Sequence, residues 1–297
     1  MNPPVALTIA GTDSGGGAGI AADLRTFAAL GVFGTLAVTA VTAQNSVEVR
    51  EVHPLPPSAV VAQIEAVTDD LHPKAAKTGM LAVPGIVVAV AELARAGALP
   101  PLVVDPVLVA SSGAALCEDD AVAAYRRALL PVAAVVTPNL SEASVLLGRP
   151  VTTLAEQREA ARRLGELAPR VVVKGGHPVE DQAGLAIDVY FDGERLEELT
   201  RPRLDAPGAH GSGCTFAAAI AAGLARGQSV GEAVVGANAY VHAALAGSVR
   251  WHLGAGHGPL DHLGWGDEPA PLPPFRDLVA GPAVPATSTT PPGGEER

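Results

Sequence analysis

The stretch "VALTIAGTDSGGGAGIAADLRTFAALG", residues 5–31, decides the fold. "VALTIAG", residues 5–11, is a short apolar run with β-branched Val5, Thr8 and Ile9, which suits a buried strand. Four glycines follow, Gly15, Gly16, Gly17 and Gly19, which permit positive φ and close backbone approach. Ile20, Leu24, Phe27 and Leu30 then recur at helical spacing, and Gly31 is a stop. Strand, glycine turn, helix is the first unit of an α/β protein.

The same alternation continues along the chain. Strands are expected over 35–41, 74–79, 102–107, 133–139 and 170–176, and helices over 56–71, 84–97, 118–130, 141–147 and 153–167. Residues 185–200 read as a hairpin turning at Asp192-Gly193, and two helices follow at 211–227 and 230–247. This order predicts a three-layer α/β domain over residues 1–265, with a mostly parallel central sheet and helices on both faces. From residue 266 to 297, Pro, Gly, Ser and Thr dominate and periodicity is lost, which predicts a disordered tail. Its "PLPP" reads as solvated tail rather than as a docking motif.

Composition narrows the function. Apolar residues make up 48% and aromatic residues 3%, so the core must be built from Ala, Val, Leu and Ile. The formal charge of −11 argues against a nucleic-acid or anionic-membrane surface. No apolar run is long enough for a membrane span, and "MNPPVALTIAG" reads as a strand rather than a signal peptide. Two cysteines, Cys117 and Cys214, make no disulfide framework, so a cytoplasmic location is expected. Cys117 reads as a small apolar filler.

In such a domain ligands gather at the carboxyl ends of the strands. The unusual residues of this chain fall there, in "GTDSGGGAG", "TAQN", "KTGM", "DPVLVASSG", "TPNLSE" and "KGGH". The first contains a loose G-x-G-x-x-A, but "TLAVTAVTAQN" lacks the acidic residue that a dinucleotide ribose needs. No Gly-Lys-Ser/Thr follows, so it is not a P-loop. "AHGSGCTF", 209–216, is more pointed: Gly211, Ser212 and Gly213 open an apolar helix, and the free N–H groups of such a turn form an anion hole. That field is expected to depress the pKa of Cys214, giving a thiolate able to take a proton from a substrate hydroxyl. A buried structural cysteine is the alternative. Asn139 and Glu142 have capping-box spacing, and a carboxylate and amide at this edge also suit hydrated Mg²⁺. Lys174 ends a strand within reach of phosphate oxygens, and Asp105 breaks the strand "LVVDP". Met80 offers a soft wall to a flat ring. His252, His257, His262 and Asp261 fit no standard zinc spacing.

Taken together, "ALTIAGTDSGGGAGIAADLRTFAALGVFG", "AVTAQNS", "KTGML", "VVDPVLVASSG", "TPNLSEASVLLG", "VKGGH", "HGSGCTFAAAIAAGLARG" and "GHGPLDH" resemble the hydroxymethylpyrimidine/phosphomethylpyrimidine kinases of thiamine synthesis, in the ribokinase-like superfamily. The resemblance spans about residues 1–263. It implies a ribokinase-like fold, a homodimer, and two ATP-dependent phosphorylations of 4-amino-5-hydroxymethyl-2-methylpyrimidine at one site. It implies that Asp23 and Gln44 hydrogen-bond the aminopyrimidine and that Gly11, Val41, Met80 and Val107 line its pocket. The Gly211–Cys214 turn would hold the transferring phosphate, with Asp105, Asn139, Glu142 and Lys174 serving Mg²⁺ and ATP. The chain departs from the family pattern at Thr12-Asp13-Ser14-Gly15, Ala21, Leu108 and Ser212. A pyridoxal or pyridoxine kinase is the runner-up. A pyrimidine-binding protein without catalysis and a nicotinamide oxidoreductase are the alternatives from other classes.

Overall fold

In the computed structural model, β1 (Val5–Ala10) runs through the glycine turn into α1 (Gly19–Ala29) and on to β2 (Phe33–Val38), which lies parallel beside β1. Residues 2–108, 119–176, 184–204 and 209–266 are described. The proline-rich tail from residue 267 and Cys117 lie outside them.

A short antiparallel ribbon follows, β3 (Ala40–Gln44) and β4 (Val49–Pro54), and then α2 (Pro57–Leu71). Next come β5 (Ala75–Thr78), α3 (Pro84–Arg95), β6 (Leu102–Val104), α4 (Asp119–Ala124), β7 (Val135–Val136), α5 (Leu140–Leu147), α6 (Leu154–Leu164) and β8 (Val171–Val173). The hairpin β9 (Leu185–Phe191) and β10 (Leu196–Pro202) precedes α7 (Ser212–Ala225) and α8 (Val230–Ser248).

Among the described residues, eight strands form one sheet in the order β10-β9-β8-β7-β6-β5-β1-β2. Within it β2, β1, β5, β6, β7 and β8 are parallel, and the hairpin extends the sheet antiparallel at one end. Alternate side chains of each strand enter different cores. Leu7, Ile9, Val104, Val136 and Val173 pack with residues of α2, α3, α5 and α6, whereas Ala6, Val103, Val135 and Val172 pack with Phe27 and the Ala-rich face of α7. Burial on both faces explains the unbroken Val/Leu runs of β6, β7 and β8. Small residues on α7, such as Ala217, Ala218 and Ala221, let that helix lie close to the sheet. The three-layer architecture, with a mostly parallel sheet and helices on both faces, is as expected. No helix among the described residues is long and apolar enough to cross a membrane.

Two local expectations change. Residues 35–41 are not one strand: β2 ends at Val38, and Thr39 turns the chain by donating its N–H to Ala10 O and its hydroxyl to Met80 O. The apolar and β-branched residues continue across Thr39 without a turn signal, which hides this break and the ribbon β3–β4. The single helix expected over 118–130 is not continuous. α4 instead loosens into a π-helical turn at Tyr125–Leu129, then a 3₁₀ turn at Leu130–Val132, because Pro131 has no N–H and its ring crowds the preceding turn.

Candidate active site

The parallel strands all end at the same edge, and the segments following β1, β6 and β8 meet the N-terminus of α7 there. Gly211 holds φ 85°, a left-handed cap, and a Cβ on it would collide with Gly17 O. Its carbonyl accepts from Thr215 N at 2.8 Å and from the Thr215 hydroxyl at 2.8 Å. That hydroxyl in turn faces Nε2 of buried His262 at 2.9 Å. Burial pushes the His262 imidazole down to about pKa 4, so it is neutral and braces the turn without adding charge. Ser212 N is bonded to Ala209 O, while the N–H groups of Gly213 and Cys214 meet no acceptor among the described residues. Two donors and the positive end of a 14-residue helix therefore face one spot.

Lys174 stands over that spot. A Cβ on Gly213 would lie 3.0 Å from Lys174 Nζ and 3.8 Å from Asp105 Oδ2. Lys174 Nζ donates to Asp105 Oδ1 at 2.8 Å, and Thr137 Oγ1 lies 3.3 Å from the same oxygen. Burial opposes the ammonium charge, but Asp105 and then Glu142 hold the Lys174 pKa above its ordinary value, so it stays charged. Asn139 lies beside Lys174 in a single parallel bridge. Asn139 and Glu142 form the expected capping box, each side chain accepting the other's backbone N–H at 2.8 Å. Burial pushes the Glu142 carboxyl up to about 7, against the pull of Lys174.

Cys214 departs from expectation. Burial pushes its thiol up to about 11, outweighing the pull of Lys77, and nearby Asp23 and Asp105 add to the rise. The helix terminus does not make a thiolate here, because two carboxylates and loss of water oppose it.

Asp23 also differs. It is 0% exposed, accepts from Lys77 Nζ at 3.0 and 2.9 Å, and accepts the Thr8 hydroxyl at 2.6 Å. Burial pushes the Asp23 carboxyl up; burial likewise opposes the Lys77 charge, but Asp23 holds Lys77 above its ordinary value. The carboxylate expected to read a substrate ring is paired with a wholly buried lysine. Sequence reasoning missed Lys77, although "KTGM" contained it; apolar Ala75 and Ala76 before it masked an inward-pointing charge.

The first glycine loop is not an open anion cradle. Asp13 fills it, accepting from Gly15 N at 2.8 Å, Gly17 N at 3.0 Å and Ala18 N at 2.8 Å. Burial would raise the Asp13 pKa, but the His210 and backbone hydrogen bonds outweigh it and hold the carboxyl below its ordinary value. Gln44 ends β3 with Nε2 3.2 Å from His210 Nε2, and that ring nitrogen lies 2.9 Å from Asp13 Oδ2. Met80 packs against Gly11 so closely that a Cβ there would strike its methyl group. Val107 is half-buried just beyond Asp105, whereas Val41 on β3 is 48% exposed. Asp13 and His210 are further residues that the sequence reading did not single out.

Among the described residues, His252, His257, His262 and Asp261 form no metal-binding group. Asp261 accepts from the backbone N–H groups of Leu263, Trp265 and Gly266, and no group of three or more His, Cys, Asp or Glu among the described residues is placed to hold a metal ion. Asp105 and Glu142 are hard oxygen donors without a third. Such a pair suits Mg²⁺ held chiefly by phosphates and water rather than by a protein cage.

A cationic side chain, free helix-terminal N–H groups and a thiol at one strand edge suit transfer of an anionic group to a small molecule. Comparison with known proteins agrees. The chain is 49% identical over 264 residues to a hydroxymethylpyrimidine/phosphomethylpyrimidine kinase of Rhizobium meliloti, covering 87% of this chain and 97% of that one. It is 43% identical to the Bacillus subtilis protein of the same name, covering 87% and 94%. Among solved structures, an ADP complex of Bacillus subtilis pyridoxal kinase superposes with TM-score 0.82 at 38% identity, covering 89% of this chain and 99% of that one. A phosphomethylpyrimidine kinase from Clostridium difficile gives 0.72 at 34%, covering 82% and 99%. Residues 13–261 match the family described as phosphomethylpyrimidine kinase, and with the strand-edge turn, Lys174 and fold all in agreement, the chain belongs to that family.

Proposed function

We propose that this protein is an ATP-dependent kinase that phosphorylates the hydroxymethyl group of 4-amino-5-hydroxymethyl-2-methylpyrimidine and then adds a second phosphate to the product, in thiamine biosynthesis. The observation that carries this reading is the meeting of Lys174 with the free N–H groups of Gly213 and Cys214. In phosphoryl transfer the transition state is loose, and most catalysis is positioning and charge stabilisation. The Gly211, Ser212, Gly213 and Cys214 turn holds the transferring phosphoryl group, and Lys174 meets its oxygens. Asp105 orients Lys174, and Asp105, Glu142 and Asn139 serve the nucleotide and Mg²⁺, which supplies charge neutralisation at the phosphates. Gly11, Met80, Val107, Val41 and Gln44 border the ring. Asp23 acts at one remove, by holding Lys77 beneath the site.

Cys214 is a neutral thiol beside the reacting oxygen. With a pKa of about 11, roughly one thiol in ten thousand is ionised at neutral pH. A preformed thiolate base is therefore not the main source of rate, and the turn and Lys174 carry the developing charge.

The relatives named for two substrates support the pyrimidine over pyridoxal, although pyridoxal kinases share the fold. Turnover with the pyrimidine, its monophosphate and pyridoxal tests the choice; a tenfold preference for pyridoxal would reverse it. A homodimer in the cytoplasm completes the proposal. Phe33 and Leu36, exposed on edge strand β2, support a covered surface, and sedimentation would show a single monomer if this is mistaken.

A further inference from the structure

Three side chains from distant segments join above the phosphate turn. Asp13 lies in the glycine loop, Gln44 ends β3, and His210 stands two residues before α7. One ring nitrogen, His210 Nε2, meets both others, at 2.9 Å from Asp13 Oδ2 and 3.2 Å from Gln44 Nε2. The imidazole is fixed in place. It packs so tightly on Gly17 that an added Cβ there would come within 2.6 Å of His210 Cδ2, and its backbone N–H is bonded to Gly258 O at 3.3 Å.

Donor arithmetic then decides the orientation of Gln44. The Asp13 carboxylate already accepts three backbone N–H groups, and an ionised carboxylate offers only acceptors. His210 Nε2 must therefore carry its hydrogen and donate it to Asp13. An N–H cannot also accept from the NH₂ group of Gln44. The amide oxygen and nitrogen exchange places by a half-turn of the amide, and only the oxygen satisfies this contact. Gln44 Oε1 thus shares the His210 proton with Asp13. The NH₂ group turns away, and no other protein partner meets the Gln44 amide among the described residues.

We propose that Asp13 and His210 are positioning residues that hold the Gln44 amide with its NH₂ group toward the substrate, so that the site selects a ring bearing an acceptor nitrogen. This rests on the kinase reading above. It also ties ring recognition to the phosphate turn, because His210 and Gly211 are adjacent. A donor fixed in a half-buried site rejects a ring lacking its acceptor, since the NH₂ group is then desolvated and unpaired.

The test compares the hydroxymethylpyrimidine with its two analogues in which one ring nitrogen is replaced by C–H. In the unaltered protein one analogue should lose at least tenfold in kcat/KM. His210→Asn, whose amide is too short to reach where Nε2 stands, should raise KM for the pyrimidine about tenfold, change kcat far less, and shrink the analogue penalty below threefold. His210→Gln, one methylene longer and carrying an N–H near the Nε2 position, should restore both KM and the penalty. Thermal unfolding of both variants separates misfolding from mispositioning, and if His210→Asn does not fold, a Gln44→Ala/His210→Ala cycle reads the same coupling. An unchanged KM or an undiminished penalty in His210→Asn overturns the proposal, as does additivity in the cycle. If the unaltered protein phosphorylates none of these rings, the kinase reading itself fails instead.

Discussion

Lys174 Nζ and Asp105 Oδ1 lie 2.8 Å apart, directly above the backbone of Gly213. The pair turns a flexible ammonium into a fixed one, aimed at the helix terminus. Lys174→Met should lower kcat by about a thousandfold through loss of charge stabilisation, with KM for the pyrimidine changed little. Asp105→Asn should lose less, because Lys174 keeps its charge but loses its anchor. Steady-state kinetics with MgATP in excess checks the order of the two effects.

Gly213→Ala puts a methyl group into the same space. The nearest neighbour is the tip of a flexible lysine, so the fold should accommodate it and the melting temperature should move by only a few degrees. Activity should fall at least tenfold, since the methyl group displaces Lys174 from the N–H groups. A variant of full activity would remove Gly213 from the site.

Cys214→Ser separates a base from a bystander. The neutral thiol implies a loss of no more than about tenfold in kcat, whereas loss of an essential base is typically larger, at about a hundredfold or more. The pH–rate profile adds a second reading, for which the account expects no ionisation assignable to Cys214 below pH 9.

Asp23 and Lys77 give a stability prediction. Lys77→Met leaves an unpaired buried carboxylate and should cost about 3–5 kcal/mol. Lys77→Met with Asp23→Leu should recover most of that loss, because two apolar side chains replace both charges. Denaturant unfolding of the single and double variants measures the difference.

Glu142 makes stability depend on pH. Its folded pKa of about 7 lies above its ordinary 4.5, so the folded state binds the proton more tightly than the unfolded state. Its contribution is full below about pH 4.5, declines as pH rises, and is gone above about pH 7. Glu142→Gln keeps a capping acceptor and should flatten that decline in a series of melting temperatures.

The fold was legible because its signals are local. The β1–α1 unit, the Asn139–Glu142 capping box and the Asp192-Gly193 hairpin each follow from residues a few positions apart. The Gly211–Cys214 turn was legible for the same reason. What escaped depends on distant partners. The ionisation of Cys214 is set by Lys77, Asp23 and Asp105, which are 109 or more positions away. The filling of the glycine loop by Asp13 and the contact of His210 with Gln44 appear only after the strand ends converge. The break at Thr39 was hidden because the run 35–41 contains no Gly, Pro, Asn or Asp to mark a turn.

The most direct test of the central claim is mass spectrometry of the products formed from hydroxymethylpyrimidine and excess MgATP. The account predicts the monophosphate first, then the diphosphate, with two ADP released per diphosphate. Hydrolysis of ATP without a phosphorylated pyrimidine, or no product at all, would contradict it.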